Sequence, residues 1–296
     1  MKVFVTGASG FVGSAVVAEL VEAGYDVSGL ARSDQAAAAI AGQGAKVLRG
    51  SLDDLDSLRR GAAGADAVIH CAFIHDFSNF GASAEADRCA IEVIGAVLAG
   101  SDRPFIVTAG TAGLAPGQVV TENQAGHPPS AAGARVSEPA ALALVSQDVR
   151  ASVIRLPPSV HGEGDHGFVP QLIKIAREKG VSAYPGDGSN RWAAGHRLDA
   201  ARLYRLGLEN APAGTRLHAV GDEGVSSRQI AEVIGRHLNL RVVSVPVAEA
   251  EQHFGWLGAF FKLDIPASSA LTQERFDWHP AQTGLLADLD AGHYFI

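Results

Sequence analysis

The sequence has little cysteine, no excess of positive charge and no long uninterrupted apolar segment. Its two cysteines, Cys71 and Cys89, fall in patterns that predict a strand and a helix, so we expect reduced thiols rather than a disulfide. Lysine and arginine number 24 against 32 aspartates and glutamates, and the net charge of −8 argues against nucleic-acid and anionic-membrane partners. The longest uncharged segment, residues 104–121, contains three glycines and two prolines and is not expected to span a membrane.

The sequence also shows no motif for metal binding or for targeting. No group of cysteines and histidines has the spacing of a zinc site, so we expect no metal. The apolar run at residues 3–5 is too short for a signal-peptide core, so we expect a cytoplasmic protein. Hydrophobic residues are abundant, at 47% of the sequence. Glycine is also abundant, because 34 of 296 residues is about 11%, against an average of about 7%. The chain can therefore bury a large core, and some of its backbone positions require the absence of a side chain.

Short apolar runs alternate with longer helical patterns through the first half of the chain. The runs lie at residues 3–5, 27–30, 46–48, 67–69, 105–107 and 152–154. Repeated strand–helix units predict an α/β fold, a Rossmann-type doubly wound parallel sheet with both faces covered by helices. The pattern changes near residue 156. We therefore predict a dinucleotide-binding domain over residues 1–156 and, over residues 157–296, mainly a smaller substrate-binding cap with segments that return to the sheet.

A glycine-rich segment, with Gly7, Gly10 and Gly13 at the spacing G-x-x-G-x-x-G, joins the first predicted strand to the first predicted helix. Gly7 permits a sharp turn, Gly10 lets backbone N–H groups approach a pyrophosphate, and Gly13 lets the helix lie close to the sheet. The helix N-terminus adds unpaired N–H groups and a positive dipole end, so the segment predicts a dinucleotide site. The residues predicted to hold the cofactor here are Gly7, Ser9, Gly10, Phe11, Val12 and Gly13.

The end of the second predicted strand discriminates between NADP and NAD. An acidic residue there accepts hydrogen bonds from the ribose 2′-hydroxyl of NAD, but this sequence has Arg32 and Ser33, which suit a 2′-phosphate. Asp34 leaves an alternative open, because it either caps the following helix or is an NAD-selecting acid displaced along the chain. We expect NADP as the cofactor, with NAD as the less favoured alternative.

These features resemble the short-chain dehydrogenase/reductase superfamily, in particular its extended and atypical branch of NAD-dependent epimerases and dehydratases. Residues 6–13 match the opening motif of that branch, and Arg32 matches the arginine of its NADP-dependent members. Residues 155–162 resemble the strand and loop near the nicotinamide, with His161 where a tyrosine is usual. The resemblance extends over nearly the whole chain. The further residues that it places beside the adenine or along the cofactor are Ser51, Leu52, Cys71, Ala72 and Phe73.

The catalytic pair of that superfamily does not occur at the expected positions. The resemblance implies a serine or threonine after the fifth strand, plus a tyrosine and a lysine four residues apart, but none of the four tyrosines precedes a lysine by four. The two positions fall near Ser130 and Ala134, neither of which can transfer a proton. His127 and Arg135 lie close by without matching the spacing, so the proton donor must be sought elsewhere.

Five side chains are considered for catalysis. His161 can act as a general acid because an imidazole pKa lies near 6.5, although it could equally be a loop histidine bonded to backbone. Thr111 or Thr108 can polarise the substrate oxygen, with an ordinary strand-end threonine as the alternative. Asp76 follows the fourth strand and could orient an imidazole or meet substrate, unless it is a solvated loop residue. Arg135 could supply positive charge near the substrate, unless it is a solvated helix-face arginine.

Taken together, the pattern predicts an NADP(H)-dependent oxidoreductase that reduces a small carbonyl or imine compound between the sheet edge and the cap. A nucleotide-sugar epimerase or dehydratase is the first alternative, disfavoured because such enzymes need the tyrosine base to oxidise an alcohol. An NADP(H)-binding sensor or scaffold is the second. The aromatic residues Trp256, Phe260 and Phe261 are expected to belong to the core, with a lid or a homodimer contact as the alternative.

Overall fold

The computed structural model describes residues 1–76, 79–126 and 135–296. The strands are β1 (Lys2–Thr6), β2 (Asp26–Ala31), β3 (Lys46–Arg49), β4 (Ala67–His70), β5 (Pro104–Gly110), β6 (Arg150–Leu156), β7 (Ser159–His161), β8 (Ser182–Pro185), β9 (Arg191–His196), β10 (Arg216–His218), β11 (Asp222–Ser226) and β12 (Val242–Val245). The helices are α1 (Phe11–Glu22), α2 (Asp34–Gly42), α3 (Leu55–Ala63), α4 (Phe80–Leu98), α5 (Ser137–Ala143), α6 (Phe168–Lys179), α7 (Arg197–Asn210), α8 (Ser227–Leu238), α9 (Ala250–Phe254), α10 (Gly258–Phe261), α11 (Ala270–Phe276) and α12 (Leu285–Asp290). No helix of these residues is both long and apolar enough to cross a membrane.

Seven strands form one parallel sheet in the order β10-β6-β5-β4-β1-β2-β3. The chain runs outward from β1 to β3 and then returns to the other side of β1 with β4. Helices α1, α2 and α7 cover one face, and α3, α4 and α5 cover the other. The predicted α/β fold, a Rossmann-type doubly wound parallel sheet, is thus confirmed.

Strand β1 shows why the strands appear as continuous apolar runs. Val3 and Val5 point into the core under α1 and α7, whereas Phe4 points into the core under α3 and α4. All three side chains are fully buried. Because both faces of the sheet are covered, neither set of alternating positions has to be polar.

A second, smaller unit, called the cap below, is built around its own apolar core. It contains α6, α8, α9, α10 and α12, a three-stranded sheet in the order β11-β9-β7 and the parallel pair β12-β8. Phe261 is buried in this core, as the sequence predicts, whereas Trp256 is 47% exposed at its surface. The elements α7 and β10 leave the cap: α7 packs beside α1, and β10 pairs with β6.

The structure corrects one detail of the sequence-based expectations. Cys71 lies directly after β4 rather than within a strand, although both cysteines are free. Helix α7 begins at Arg197, where the His196 imidazole accepts a hydrogen bond from the Leu198 amide at 3.2 Å and caps the helix.

Candidate functional site

The candidate site lies where the carboxyl ends of β1, β4 and β5 meet, here called the crevice. The strand order changes direction between β1 and β4, and crevices at such points are where open α/β sheets bind ligands. The predicted cofactor-binding residues follow β1, β2, β3 and β4, so the fold brings them to one edge of the sheet.

The glycine-rich turn leaves no room for side chains at two positions. Gly7 has a φ of +67°, and a Cβ there would lie 2.6 Å from the Ala72 amide nitrogen. A Cβ on Gly13 would lie 2.0 Å from the Gly7 carbonyl oxygen, well inside van der Waals contact. Gly7 therefore permits the turn out of β1, and Gly13 permits the close approach of α1 to the turn.

The N-terminus of α1 has donors without acceptors. Gly10 is the N-cap and supplies no side-chain cap, while its own amide donates to the Gly7 carbonyl at 2.9 Å. In the described chain, no acceptor meets the N–H groups of Phe11, Val12 and Gly13. Ser9 is exposed at the turn. These residues fit a pyrophosphate, which would satisfy the free donors and benefit from the helix dipole.

The charges at the end of β2 are distributed unevenly. Ser33 caps α2, since its hydroxyl accepts a hydrogen bond from the Ala36 amide at 3.2 Å. The interpretation of Asp34 as the cap is therefore wrong, and its carboxylate is instead paired with Arg49. Arg32 is exposed, and none of the acidic residues in the described ranges pairs with it.

The residues expected along the adenine and the cofactor follow β3 and β4. Ser51 accepts a hydrogen bond from the Asp54 amide at 3.3 Å, and Leu52 packs partly against the core under α3. The amides of Cys71 and Ala72 donate to Thr6, to its carbonyl at 3.2 Å and to its hydroxyl at 3.3 Å. Burial raises the pKa of the Cys71 thiol to about 12, so this thiol is protonated and inert.

Arg135 lies against the segment that follows β4. Its guanidinium carbon lies 4.1 Å from the centre of the Phe73 ring, a cation–π contact. Its side chain is 22% exposed, its Nε donates to the Ser137 hydroxyl at 2.6 Å, and its Nη2 has no hydrogen-bond partner within the described chain. The interpretation of Arg135 as a freely solvated helix residue is wrong, because it is held against Phe73.

His75 and Asp76 continue from Phe73 and are both exposed. Although His75 reaches solvent, desolvation by the protein around its ring, together with the charges of Arg135 and His166, lowers the pKa of His75 below its usual range. The imidazole is therefore neutral at pH 7, and Arg135 carries the fixed positive charge of this region.

Thr108, inside β5, and Thr111, directly after it, differ in their surroundings. The Thr108 hydroxyl donates to the His70 carbonyl at 2.7 Å and lies 2.6 Å from the Tyr204 hydroxyl, which fits the alternative of a structural strand-end threonine. The Thr111 amide donates to the Leu156 carbonyl at 3.0 Å, and its buried hydroxyl has no partner in the described chain. Thr111 therefore retains an unused hydrogen-bonding group.

His161 belongs to a different network from Arg135. Its imidazole is fully buried, and its Nδ1 lies 2.9 Å from an oxygen of Asp288 on α12. The Tyr294 hydroxyl donates to the same oxygen at 3.1 Å. The loop that follows His161 contacts the glycine-rich turn, where the His166 and Phe11 rings are 5.7 Å apart. The alternative interpretation of His161, as a loop histidine bonded to backbone, is therefore wrong, because its imidazole is bonded to a carboxylate.

Comparisons with known proteins agree with this architecture. Residues 3–99 match the model of the NAD dependent epimerase/dehydratase family. An uncharacterized protein of Schizosaccharomyces pombe is 48% identical over 297 residues, covering 100% of both chains. The 4-hydroxy-2-methyl-3-oxo-4-farnesyl-3,4-dihydroquinoline-1-oxide ketoreductase of Stigmatella aurantiaca is 30% identical over 224 residues, 72% of this chain and 66% of that protein. This chain belongs to the NAD-dependent epimerase/dehydratase family.

The fold is shared with solved structures. DesIV, a dTDP-glucose 4,6-dehydratase from Streptomyces venezuelae with NAD and TYD bound, is similar with a TM-score of 0.78 and 20% identity over 99% of this chain and 96% of that chain. The family and its homologues are NAD(P)-dependent dehydrogenases, reductases, epimerases or dehydratases. The epimerase/dehydratase-family chain described here is therefore an oxidoreductase-type enzyme that uses a nicotinamide dinucleotide.

The positions at which this family carries its tyrosine and lysine, near Ser130 and Ala134, lie outside the described residues, as does His127. What sequence reasoning missed is the buried acid Asp87 on α4, which bonds to both His70 and Ser137. The only signal in the sequence was an acidic residue on an otherwise apolar helix face, which a surface position would explain equally well.

Proposed function

We propose that this enzyme is an NADP(H)-dependent reductase of a small carbonyl or imine compound. The observation that carries the choice of cofactor is the distribution of charge at the end of β2. The exposed Asp34 carboxylate is paired with Arg49, while Arg32 is exposed without an acidic partner among the described residues. A ribose 2′-phosphate would meet an unpaired guanidinium here, whereas a 2′-hydroxyl would compete with Arg49 for the Asp34 carboxylate.

The direction of the reaction follows from the chemistry of Arg135. A guanidinium stays protonated in proteins, so Arg135 cannot remove the proton of an alcohol, which is the first step of dehydratase and epimerase reactions. It can stabilise negative charge that develops on a carbonyl oxygen during reduction. Arginine at this place therefore favours reduction, and the name of the Stigmatella ketoreductase supports a carbonyl substrate.

Some residues of the crevice bind the cofactor, and others stabilise the charge that develops on the substrate. The free N–H groups of Phe11, Val12 and Gly13 hold the pyrophosphate, and Arg32 holds the 2′-phosphate. When bound, the reduced cofactor supplies the hydride. Arg135 donates a hydrogen bond to the substrate oxygen, which becomes an alkoxide as the carbonyl π bond breaks, and a water molecule protonates that oxygen. For an imine the same cation orients the water that protonates the nitrogen.

The remaining candidates have subsidiary roles in this proposal. The unpartnered hydroxyl of Thr111 is the second donor to the substrate oxygen, because such a contact would complete its hydrogen bonding. His161 is bonded to Asp288 and shut off from solvent, so we assign the proton to water rather than to this imidazole. Asp76 is exposed in the segment that follows β4, and we assign it a contact with the substrate or with solvent. The substrate is the expected partner, and no second chain is needed for this chemistry.

The test is NADPH consumption by the purified protein with a panel of aldehydes, ketones and cyclic imines. We expect saturable turnover with at least one class, and a fall in kcat of about 10²-fold in Arg135→Ala, the usual effect of removing an oxyanion donor. Arg59→Ala is the matched control, because Arg59 is an exposed arginine paired with Asp56 on α3. Tight binding of NADPH without turnover on the whole panel would overturn the proposal.

A further inference from the structure

A continuous run of buried polar side chains leads from the glycine-rich turn to Arg135. Thr6 ends β1 immediately before Gly7, and its hydroxyl lies 2.8 Å from Nδ1 of His70, the last residue of β4. Nε2 of His70 lies 3.0 Å from Oδ1 of Asp87 on α4. The Ser137 hydroxyl donates to Oδ2 of the same carboxylate. All four side chains are fully shielded from solvent.

With a neutral His70, the donors and acceptors in this run are consistent in only one arrangement. The carboxylate of Asp87 can only accept, so His70 carries its proton on Nε2, and its Nδ1 accepts from the Thr6 hydroxyl. The Ser137 hydroxyl donates to Asp87 and is then free to accept from Nε of Arg135, at 2.6 Å. Asp87 is thus the acceptor on which both ends of the run depend.

The Asp87 carboxylate acts on Arg135 in two ways. Through Ser137 it fixes the direction of the Arg135 Nε–H bond, and directly it attracts the guanidinium, whose Nη2 lies 3.8 Å from Oδ1. The Phe73 ring closes one face of the guanidinium at 4.1 Å. A long, flexible arginine is thereby restricted to one orientation at the crevice, with 22% of its side chain exposed.

Burying the Asp87 carboxylate costs free energy of desolvation, which hydrogen bonds and a nearby positive charge offset. Desolvation by itself would raise the pKa of Asp87, but the hydrogen bonds from His70 and Ser137 and the charge of Arg135 outweigh it and hold that pKa below its usual range. The group therefore stays ionised at neutral pH. A neutral amide in its place would lose the charge and turn an NH2 donor toward either His70 or Ser137, each of which now donates.

We propose that Asp87 is a positioning residue that, through Ser137 and by direct attraction, orients the Arg135 guanidinium toward the crevice, with His70 and Thr6 holding Asp87 in place. The kinetic consequence rests on the proposed function, because it requires that Arg135 contact the substrate. The orientation of Arg135 does not, so it can be measured without turnover.

The kinetic arm of the test is a double-mutant cycle. Asp87→Asn should lower kcat by about tenfold while the KM for NADPH stays unchanged, and should cause no further loss in an Arg135→Ala background. Glu92→Gln, an exposed acid paired with Arg88 on the same helix, is the control for the loss of a negative charge. Losses that add in the double variant would show that Asp87 does not act through Arg135.

The second arm is the rate at which phenylglyoxal modifies Arg135, followed by mass spectrometry with Arg59 as the internal reference. Freed of its partners, Arg135 should react about tenfold faster in Asp87→Asn and in Ser137→Ala, which removes only the bridging hydroxyl. Ser137→Ala keeps the test valid if Asp87→Asn fails to fold. An unchanged rate in folded variants overturns the positioning role even if turnover is found. A faster rate without turnover supports it while the proposed reductase activity fails.

Discussion

At the scale of single residues, the charges at the end of β2 bear on the proposed choice of cofactor. Ser33 caps α2, and the exposed Asp34 carboxylate pairs with Arg49. A ribose 2′-hydroxyl would have to compete with Arg49 for that carboxylate, whereas Arg32 has no acidic partner among the described residues. This distribution of charge supports the proposal of NADP rather than NAD.

Arg32→Ala should therefore raise the KM for NADPH by about tenfold or more, since a charge-assisted hydrogen bond is lost. The KM for NADH should change little, because NADH has no phosphate at this position. Initial rates with both cofactors, with Arg59→Ala as the control, measure the ratio. Equal changes for the two cofactors would contradict the assignment of Arg32 to the 2′-phosphate.

At the scale of elements, α7 joins the cap to the sheet. The carboxylate of Asp199, in its first turn, accepts hydrogen bonds from the amides of Ala281 at 2.9 Å and Gln282 at 3.0 Å. The Trp278 indole donates to the Asp199 carbonyl at 3.0 Å, and its ring is buried in the core beside α1. One helix start therefore anchors a segment near the C-terminal end of the chain to the sheet.

Asp199→Ala should destabilise the fold by about 2 kcal/mol, because two hydrogen bonds to a buried, charged acceptor are lost. Asp199→Asn keeps one acceptor oxygen and should lie between the wild type and the alanine variant. Glu178→Ala, an exposed residue paired with Lys174 on α6, should be nearly neutral. Thermal melts of the four proteins give the ranking; a Tm for Asp199→Ala equal to that of the wild type would contradict the anchoring role.

At the scale of the whole molecule, buried charges connect the edge of the sheet to its surroundings. Arg155 on β6 is fully buried and donates to Glu138 on α5 at 2.6 and 2.7 Å and to the Gln124 carbonyl at 2.7 Å. His218 on β10 faces Arg155 across 3.2 Å, and its Nδ1 donates to the Ser268 carbonyl at 2.7 Å. These bonds join the central sheet, α5 and the segments before α5 and α11.

His218 makes the stability of the whole molecule depend on pH. Desolvation by burial and the neighbouring Arg155 lower the pKa of His218 to about 4, although Glu122 and Glu138 act in the opposite direction. An unfolded histidine has a pKa near 6.5, so the unfolded state binds more protons between these values. Stability is then fully present above pH 6.5 and is lost as the pH falls toward 4.

His218→Gln should flatten this dependence. The amide can donate to Ser268 and accept from Arg155, but it does not titrate. At each pH, the free energy of unfolding of His218→Gln is subtracted from that of the wild type, and the difference is the contribution of His218 to stability. This contribution should fall by up to about 3 kcal/mol between pH 6.5 and 4, at about 1.4 kcal/mol per pH unit. A difference between the two proteins that does not change with pH would contradict a neutral buried His218.

Much of this architecture could be predicted from the amino-acid order. The six strands of the first half and the glycine-rich turn are encoded locally, because apolar periodicity and the spacing of Gly7, Gly10 and Gly13 follow from steric limits that act over a few residues. The family resemblance is carried by the same short motifs. The packing of α7 beside α1 and the pairing of β10 with β6 could not be predicted, because each depends on parts of the chain more than 50 residues away.

The arrangement of the candidate site was decided only in three dimensions. Nothing in the sequence distinguishes Asp87, 50 residues before Ser137, from a surface acid, or shows that Asp34 is paired with Arg49 and that His161 is bonded to Asp288. Charges act through space, so their partners depend on how distant segments fold together. Local sequence specified the strand, the glycine-rich turn and the helix, whereas tertiary packing brought Arg135 against Phe73 and Ser137 against Asp87.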